Sequence, residues 1–535
     1  MKKAKRYILG SALILSCLGL TSCNDWLMEE SPGSTKLEDF FTVGEACVQT
    51  VNGCYTPLGW EYNSTYFPEW MIGDIASDDA LKGGQNVGDG SDAYDIDNFK
   101  TNANNSILRD YYRAKYQGII RCNLALREVS QYEPDETLSQ EMKDRLLGEA
   151  YCLRAFYYFQ LVRIFGGVPL VDQVLDSADK WQQPRASAEE VYAKIISDLE
   201  LAESMLWDKS KYTDEEAGHV TRGVAQALLL KVNLYRHNYD EAYKWGKKFM
   251  DDQVATGEYR LFDNYADNFN LAGENGSESV FEIQYMADPM SDYGEGYGFT
   301  RGTFSTILTR PRMSSLGGNA GWGWDHPTQN LYDEFEPGDP RREETVGIPD
   351  EAGLQEVEVN YLGSPYYNVK TALYEGGTFP AIDHHSRSPL NYRLIRLSDV
   401  MLLYAEAALE SGKDINAAKT MLETVRSRAR AQSTAANALP SFPGYLGYSD
   451  NTDDLRKAIR HERRVELGME GHRWFDLVRW GIAAEVMDKD NGTYGSKETP
   501  EARAEMASFV KGKNELFPIP TEEINLNPMA QNPGY

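Results

Sequence analysis

Apolar residues recur at three- and four-residue spacing through much of the chain, which is the pattern of amphipathic helices. On this pattern we expect helices over about 43–55, 107–129, 141–165 and 188–206. Gly166 and Gly167 end the third helix, because glycine readily interrupts a helix. Ser187 is a suitable N-cap for the fourth, since its hydroxyl can accept a hydrogen bond from an otherwise unpaired backbone N–H.

Two later segments share one pattern: a helix rich in alanine and leucine, a short turn and a second amphipathic helix. The pairs cover 224–235 with 241–250, and 400–409 with 417–429. Small residues let two helices approach closely, as in tetratricopeptide repeats. The pairs do not follow one another at the repeat period of about 34 residues, so we expect degenerate or interrupted repeats.

The helical pattern breaks between residues 260 and 390. Residues 279–285 alternate like a strand, and glycine-flanked aromatic residues fill 293–298 and 317–324. We therefore predict a mostly α fold, in which tetratricopeptide-like helix pairs form a scaffold. A large loop-rich insertion over 260–390, containing a small β element, is expected on that scaffold.

Residues 1–22 have the pattern of a secretory signal peptide. Lys2, Lys3, Lys5 and Arg6 precede an apolar run over 8–20, and small residues follow. The residue after the expected cleavage point is Cys23, whose thiol can carry a lipid that anchors the chain to a membrane without spanning it. We interpret 23–40 as a lipidated polar tether and 41–535 as the folded body.

Acidic residues dominate the charged composition. The formal charge is −28, and removing the four basic residues of the signal takes it to −32. A surface this acidic repels nucleic acid, and we therefore expect no nucleic-acid partner. A neutral or cationic ligand would not be repelled. No stretch after the signal is apolar for long enough to cross a bilayer.

Four cysteines remain beyond the signal and the lipidated position: Cys47, Cys54, Cys122 and Cys152. None forms a C-x-x-C pair, which argues against a zinc cluster, and we expect small buried thiols. The chain has only seven histidines and no zinc-protease motif, so we expect neither a metal site nor a cofactor.

Aromatic residues make up 12% of the chain, and many lie in polar loops where core packing does not explain them. A sugar ring stacks its C–H face on a flat aromatic side chain, and its hydroxyls need amide, carboxylate or backbone partners. Two loops offer both. The candidate glycan-binding residues are Asp78, Asp79, Gln85, Asn86 and Tyr94 in the first loop, and Tyr293, Tyr297, Trp322 and Trp324 in the second. Packing of each aromatic against the body is the alternative.

Two charged motifs are interpreted as structural. On a predicted helix over 459–480, arginines and carboxylates fall at spacings suited to ion pairs, which favours a salt-bridge network over catalysis. The run Asp89, Asp92, Asp95 and Asp97 lacks the pattern of a calcium-binding loop, so we interpret it as a solvated acidic loop. A glycosidase needs two carboxylates about 5–10 Å apart, and 82 acidic residues leave that alternative open.

Several blocks of the sequence, taken together, resemble the SusD/RagB family of outer-membrane nutrient-binding lipoproteins. They are 23–27, 51–55, 149–155, 165–170, 393–400, 404–407, 462–467 (Glu-Arg-Arg-Val-Glu-Leu), 470–477, 516–520 and 531–535 (Gln-Asn-Pro-Gly-Tyr). The blocks stand in the family's order and span essentially the whole mature chain, whereas the loops between them are not matched.

The resemblance implies a role. Such proteins act as lids on a SusC-like TonB-dependent outer-membrane transporter, and hold an oligosaccharide, or in some members a peptide, over its mouth without cutting it. This chain is then expected to be a lipid-anchored, non-catalytic part of a polysaccharide utilisation system that faces the cell exterior. A peptide-binding lid and a surface glycoside hydrolase are the alternatives.

Overall fold

The computed structural model describes residue 41 and residues 43–294, 298–348, 364–506 and 508–535. Its helices are α1 (Gly44–Tyr55), α2 (Trp70–Ile75), α3 (Ser91–Asp97), α4 (Ser106–Gln131), α5 (Gln140–Phe165), α6 (Ala188–Met205), α7 (Arg222–Tyr235), α8 (Tyr239–Phe249), α9 (Ser305–Thr309), α10 (Gln329–Glu334), α11 (Leu397–Glu410), α12 (Ile415–Gln432), α13 (Thr452–Leu467), α14 (Arg473–Arg479), α15 (Ala483–Val486), α16 (Pro500–Glu505) and α17 (Thr521–Leu526). Its strands are β1 (Ala80–Gly83), β2 (Ser279–Ile283), β3 (Trp324–Pro327), β4 (Val346–Gly347), β5 (Tyr367–Asn368) and β6 (Tyr392–Arg396).

The long helices form a continuous stack. Helix α4 packs on α1 and α5, α5 on α6, α6 on α7, and α7 on α8. Helix α11 then packs on both α8 and α12, so the two predicted helix pairs lie against each other. At their junction Gly246 lies against the ring of Tyr404, where a larger side chain would overlap it. The predicted mostly α fold with tetratricopeptide-like pairs is confirmed.

Local chemistry sets the helix ends where the sequence predicts them. The Ser187 hydroxyl accepts from the Glu190 N–H at 3.2 Å, and the Glu190 carboxylate accepts from the Ser187 N–H at 2.8 Å, which is a complete capping box. Helix α5 ends at Gly166, whose φ of 70° favours glycine. The four expected thiols, Cys47, Cys54, Cys122 and Cys152, are buried and free of disulfides.

The strands of the described residues form three two-stranded antiparallel sheets, where the sequence predicted one small β element within 260–390. Strand β1 pairs with β3, with Ala80 opposite Pro327 and Gly83 opposite Trp324. Strand β2 pairs with β6. Because β1 and β6 lie outside 260–390, strand pairing ties the loop-rich region to the chain on both sides of it.

The prediction of one continuous helix over 459–480 was wrong. Helix α13 ends at Leu467 and α14 begins at Arg473, with a turn between them. In that turn Gly471 has a φ of 74°, and its backbone touches α2 so closely that a Cβ added at Gly73 would overlap the Gly471 carbonyl. Gly468 follows the last residue of α13 and Met469 has a φ of 64°, so the chain leaves the helix there and then makes this tight contact with α2.

The charged residues of this region form the predicted salt-bridge network, but mostly with distant partners. Arg464 reaches Asp79 at 2.7 Å, and Arg396 reaches Glu470 at 2.7 Å, while Arg479 and Asp476 pair along the helix at 2.8 Å. The buried members include Arg341, Arg396, Arg426, Arg428, Arg463, Arg464, Glu462, Glu466 and Glu470. Paired in this way, the buried charges specify how α13 and α14 pack on the rest of the chain.

The acidic run from Asp89 to Asp97 was wrongly interpreted as a solvated loop. Residues from Ser91 onward form α3, and the buried Asp97 accepts a hydrogen bond from the Lys82 N–H at 2.8 Å. Asp92 accepts from the Ser106 N–H at 2.7 Å, at the start of α4. These carboxylates are structural acceptors.

In the described part of the chain, no helix has the length and apolar character needed to cross a membrane.

Candidate functional site

The candidate site begins with a tight hairpin that displays two tyrosines. Tyr62 and Tyr66 pair across a turn in which the Asn63 N–H donates to the Thr65 carbonyl at 3.2 Å, and Ser64 has a φ of 68°. Residues i and i+4 of such a turn point to the same side, and the two ring centroids lie 5.3 Å apart. Both rings are partly exposed.

A buried phenylalanine supports the hairpin from below. Phe304 is fully buried, and its ring centroid lies 5.4 Å from that of Tyr62 and 5.0 Å from that of Tyr66. The Tyr293 ring packs on the same phenylalanine at 5.7 Å and on Tyr62 at 5.6 Å. Tyr293 is 41% exposed and has a φ of 49°, a left-handed conformation that is strained for tyrosine.

Trp322 extends this group of rings. Its ring meets Tyr66 edge-on at 5.2 Å. Its backbone N–H donates to the Ile307 carbonyl of α9 at 2.8 Å. Trp322 is partly exposed, whereas Trp324 lies beneath the group at 3% exposure. The Trp324 indole N–H donates to Asp89 at 3.3 Å, and the Lys82 ammonium lies 4.2 Å from the Trp324 ring centroid.

A third segment completes the surface with two histidines. The His385 ring lies 5.3 Å from Trp322, and the Tyr293 hydroxyl is 3.4 Å from His385 Nδ1. The His384 ring meets Tyr293 edge-on at 4.7 Å. We call the exposed and partly exposed rings of Tyr62, Tyr66, Tyr293, Trp322 and His385 the aromatic surface.

One buried carboxylate fixes the hairpin to the segment below it. Glu61 is 2% exposed and accepts hydrogen bonds from the Phe304 N–H at 2.7 Å, the Thr303 hydroxyl at 2.8 Å and the Tyr285 hydroxyl at 2.8 Å. Burial raises the pKa of Glu61, and these donors oppose that rise. Because Tyr62 follows Glu61 directly, this anchor holds the Tyr62 ring over Phe304.

The acidic candidates of the first loop lie elsewhere. Asp78 is buried and is bound by Arg473 at 2.7 Å and by the Thr493 hydroxyl at 2.9 Å, while Asp79 is buried against Arg464. Although burial raises the pKa of Asp78, the two arginines hold it well below its usual range. Both carboxylates belong to the interior salt-bridge network, so their assignment as sugar contacts is corrected: no ligand on the surface can reach them.

Two further candidates are also buried. Tyr94 is 3% exposed, and its hydroxyl donates to Glu505 at 2.9 Å. Trp324 is buried as well, and its ring packs edge-on against Tyr66, with the centroids 6.1 Å apart. Each packs against the body, which was the alternative given for these aromatic residues in the sequence analysis. Tyr94 and Trp324 are therefore corrected from ligand contacts to packing residues.

Gln85 and Asn86 are exposed, in a turn held by the Gln85 N–H donating to Asp89 at 2.8 Å. Because Asp89 also accepts from Trp324, this turn borders the aromatic surface. Tyr293 and Trp322 stand within the surface itself. Tyr297 and Cys23 lie outside the described residues, so both stay predictions.

The structure adds Tyr62, Tyr66 and His385, which sequence reasoning did not select. The aromatic-rich segment over 60–70 was a usable signal for the two tyrosines, because alternate rings beside Asn63-Ser64-Thr65 suggest a displayed turn. His385, like the other histidines, was considered only for metal binding. Its packing against Tyr293 depends on contacts between segments far apart in sequence.

Comparisons with known proteins identify the class. The model of the SusD family matches residues 342–535, and a model described as starch-binding associating with outer membrane matches residues 25–234. The chain belongs to the SusD/RagB family, as the resemblance of its sequence blocks predicted.

The matches to relatives cover nearly the full length of this chain. SusD-like protein P2 of Formosa agariphila is 27% identical, with 98% of each chain covered. A solved structure titled a laminarin binding SusD-like protein is 28% identical, with a TM-score of 0.75, over 92% of this chain and 100% of that one. Surface glycan-binding protein A from Bacteroides fluxus has the same fold, with a TM-score of 0.78 at 24% identity over 92% and 99% of the two chains.

Proposed function

We propose that this protein captures an oligosaccharide on its aromatic surface without cutting it. The observation that carries the proposal is the exposed group of rings, assembled from three chain segments in a member of the SusD family. Differently tilted rings about 5 Å apart, such as Tyr62 with Tyr66 at 42°, offer several C–H stacking faces within the length of a short sugar chain. A purely structural role would leave these exposed rings without a function.

Two carboxylates that border the surface are held by structural contacts, which favours a binding role over hydrolysis. Asp292 accepts hydrogen bonds from Arg387 Nε at 2.8 Å and Nη2 at 2.7 Å, and Asp89 accepts from the Gln85 N–H and the Trp324 indole N–H. A hydrolase needs one carboxyl to donate a proton and another to attack or activate water. Carboxylates committed to structural contacts are poorly placed for either task.

A binding experiment with a matched control tests this function. Isothermal titration against neutral hexasaccharides, starting with laminarihexaose, should show binding by the parent. Trp322→Ala should weaken it about five- to thirtyfold, because a stacked ring contributes roughly 1–2 kcal/mol. Trp181→Ala is the control, since Trp181 is 65% exposed on a loop away from the surface.

The outcomes separate the alternatives. Heat with peptides but with no glycan would replace the proposal by a peptide-binding lid. Shortened products in a chromatographic assay of the incubated oligosaccharides would replace it by a glycoside hydrolase. Equal losses for Trp322→Ala and Trp181→Ala would show that the aromatic surface is not the binding site.

We further propose that the bound glycan is passed to a SusC-like TonB-dependent transporter, and that a lipid on Cys23 holds the protein on the outer membrane, facing the exterior. The support is the family membership together with the leader pattern of residues 1–22. Cys23→Ala should release the protein from washed membranes. Retention of that variant would refute the lipid as the anchor, and co-purification with a barrel protein would then indicate the transporter.

A further inference from the structure

We propose that His385 is a specificity-determining polar contact of the aromatic surface, donating a hydrogen bond to an uncharged glycan stacked between Tyr293 and Trp322. The inference rests on the proposed function and goes beyond it by naming the hydrogen-bonding group and the charge class of the ligand. Aromatic stacking alone is tolerant of sugar identity, because many sugar rings present a C–H face. Polar groups beside the rings supply orientation and selectivity.

The position of His385 is the first argument. Its ring is exposed and lies 5.3 Å from Trp322, while its Nδ1 lies 3.4 Å from the Tyr293 hydroxyl. A ligand that covers Tyr293 and Trp322 together must therefore pass over or beside the imidazole. The histidine sits between two candidate stacking rings, within reach of the hydroxyl rim of a sugar.

The hydrogen-bonding state of the imidazole is the second argument. When the Tyr293 hydroxyl donates to Nδ1, the neutral ring carries its proton on Nε2. Nε2 of His385 has no hydrogen-bonding partner among the residues described. Burial, and then the neighbouring His384, lower the pKa of His385, which keeps the ring neutral at physiological pH. Nε2–H is thus a donor on an exposed residue, without an acceptor among the residues described.

The surrounding structure holds this donor in place. Arg387 donates two hydrogen bonds to Asp292, at 2.8 and 2.7 Å. They join the segment that holds His385 to the residue before Tyr293. The Ser386 hydroxyl accepts from the Tyr293 N–H at 3.4 Å. The left-handed φ of 49° at Tyr293 is maintained by these contacts, as strained residues at functional sites are.

The paired charges indicate an uncharged ligand. Arg387 is neutralised by Asp292, and Arg301, on the segment that follows Tyr293, pairs with Asp288 at 3.0 Å. Asp89, at the opposite border, has a side chain that is 30% exposed and pairs with Lys82 at 3.8 Å. With a formal charge of −28 for the whole chain, a sulfated or uronic chain meets repulsion that a neutral chain does not.

Matched histidine variants test the proposal. His237 is the control, because it too is exposed and contacts a tyrosine hydroxyl through Nδ1, at 2.9 Å from Tyr239, on the helical scaffold. His385→Asn and His237→Asn are compared with the parent by titration with the neutral hexasaccharide that binds most tightly. Asparagine tolerates the φ of 56° at His237. His385→Phe keeps the ring and removes the donor.

We expect both His385 variants to bind about three- to tenfold more weakly, the loss typical of one hydrogen bond, and His237→Asn to match the parent. Affinity electrophoresis with laminarin and sulfated laminarin should show retardation by the neutral polymer alone. Unchanged affinity in both His385 variants would overturn the contact, and equal retardation by sulfated laminarin would overturn the charge class. If no glycan binds the parent, the proposed function itself fails, and this inference with it.

Discussion

The carboxylate of Glu61 gives the most direct link between the interior and the aromatic surface. Four groups donate to it: the Phe304 N–H at 2.7 Å, the Thr303 and Tyr285 hydroxyls at 2.8 Å, and the Ser305 hydroxyl at 3.1 Å. Glu61→Gln preserves shape but replaces one acceptor oxygen by an N–H₂ group. The amide can keep its oxygen towards the Phe304 N–H and the Thr303 hydroxyl, which share Oε2, so the change falls on the Tyr285 and Ser305 hydroxyls, which donate to Oε1.

The magnitude follows from those contacts. Two hydrogen bonds must reverse and the other two become neutral ones, at about 1 kcal/mol or less each, and removal of a buried charge returns part of that loss. We expect Glu61→Gln to lower the free energy of unfolding by about 2 kcal/mol. Glu61→Ala leaves the donors without any acceptor, so it should lose about 3–5 kcal/mol.

The assay is denaturant unfolding followed by tryptophan fluorescence, with glycan titration on the same samples. Glu241→Gln is the control, because Glu241 forms only an exposed pair with Lys244 and should behave as the parent. Glycan affinity should fall severalfold in Glu61→Gln, since Tyr62 is held over Phe304 through its neighbour. If both Glu61 variants unfold at the parent's denaturant midpoint, the anchoring role assigned to this carboxylate is wrong.

Other predictions test the interior that supports the surface. Burial raises the pKa of Asp325 to about 8, far above that of an unfolded aspartate, so its contribution to stability is complete below about pH 4 and is lost as pH rises through 8. Asp325→Asn should therefore flatten the decline in thermal stability between pH 5 and 8.5, and an unchanged slope would contradict the assignment. Gly73→Ala should abolish soluble expression or lower the melting temperature by many degrees, because its Cβ overlaps the Gly471 carbonyl, whereas Gly53→Ala meets only the end of the Arg121 side chain at 3.9 Å and should be tolerated. A Gly73→Ala protein as stable as Gly53→Ala would refute the tight contact between α2 and the 468–472 turn.

Much of the scaffold could be predicted from sequence because helix signals are local. The Ser187 capping box and the Gly166 stop lie within a few residues of the ends that they define, so pattern and chemistry agree. The break after Leu467 also has a local signal in Gly468 and Gly471, but the contact of Gly471 with α2, far away in the chain, could not be anticipated. Local periodicity carries no information about such a partner.

The site shows the same limit more clearly. Tyr293 and Trp322 were selected for lying in aromatic, glycine-rich loops, and they do lie in one exposed group. Asp78 and Asp79 have equally polar neighbours in sequence, but their arginine partners come from α13 and α14, near the other end of the chain. A side chain is a ligand contact or an interior ion pair according to such distant partners, which composition does not reveal.

Because the aromatic surface draws its rings from segments near residues 62, 293–322 and 385, no short fragment of the chain contains it. A polypeptide that ends before His385 lacks part of the aromatic surface, however well its helices form. The same holds for a chain that has been cleaved between the hairpin and Trp322 and whose pieces have separated. Retention on an immobilised glycan should therefore select intact, natively assembled molecules, and could be used to purify them away from truncated or misassembled material.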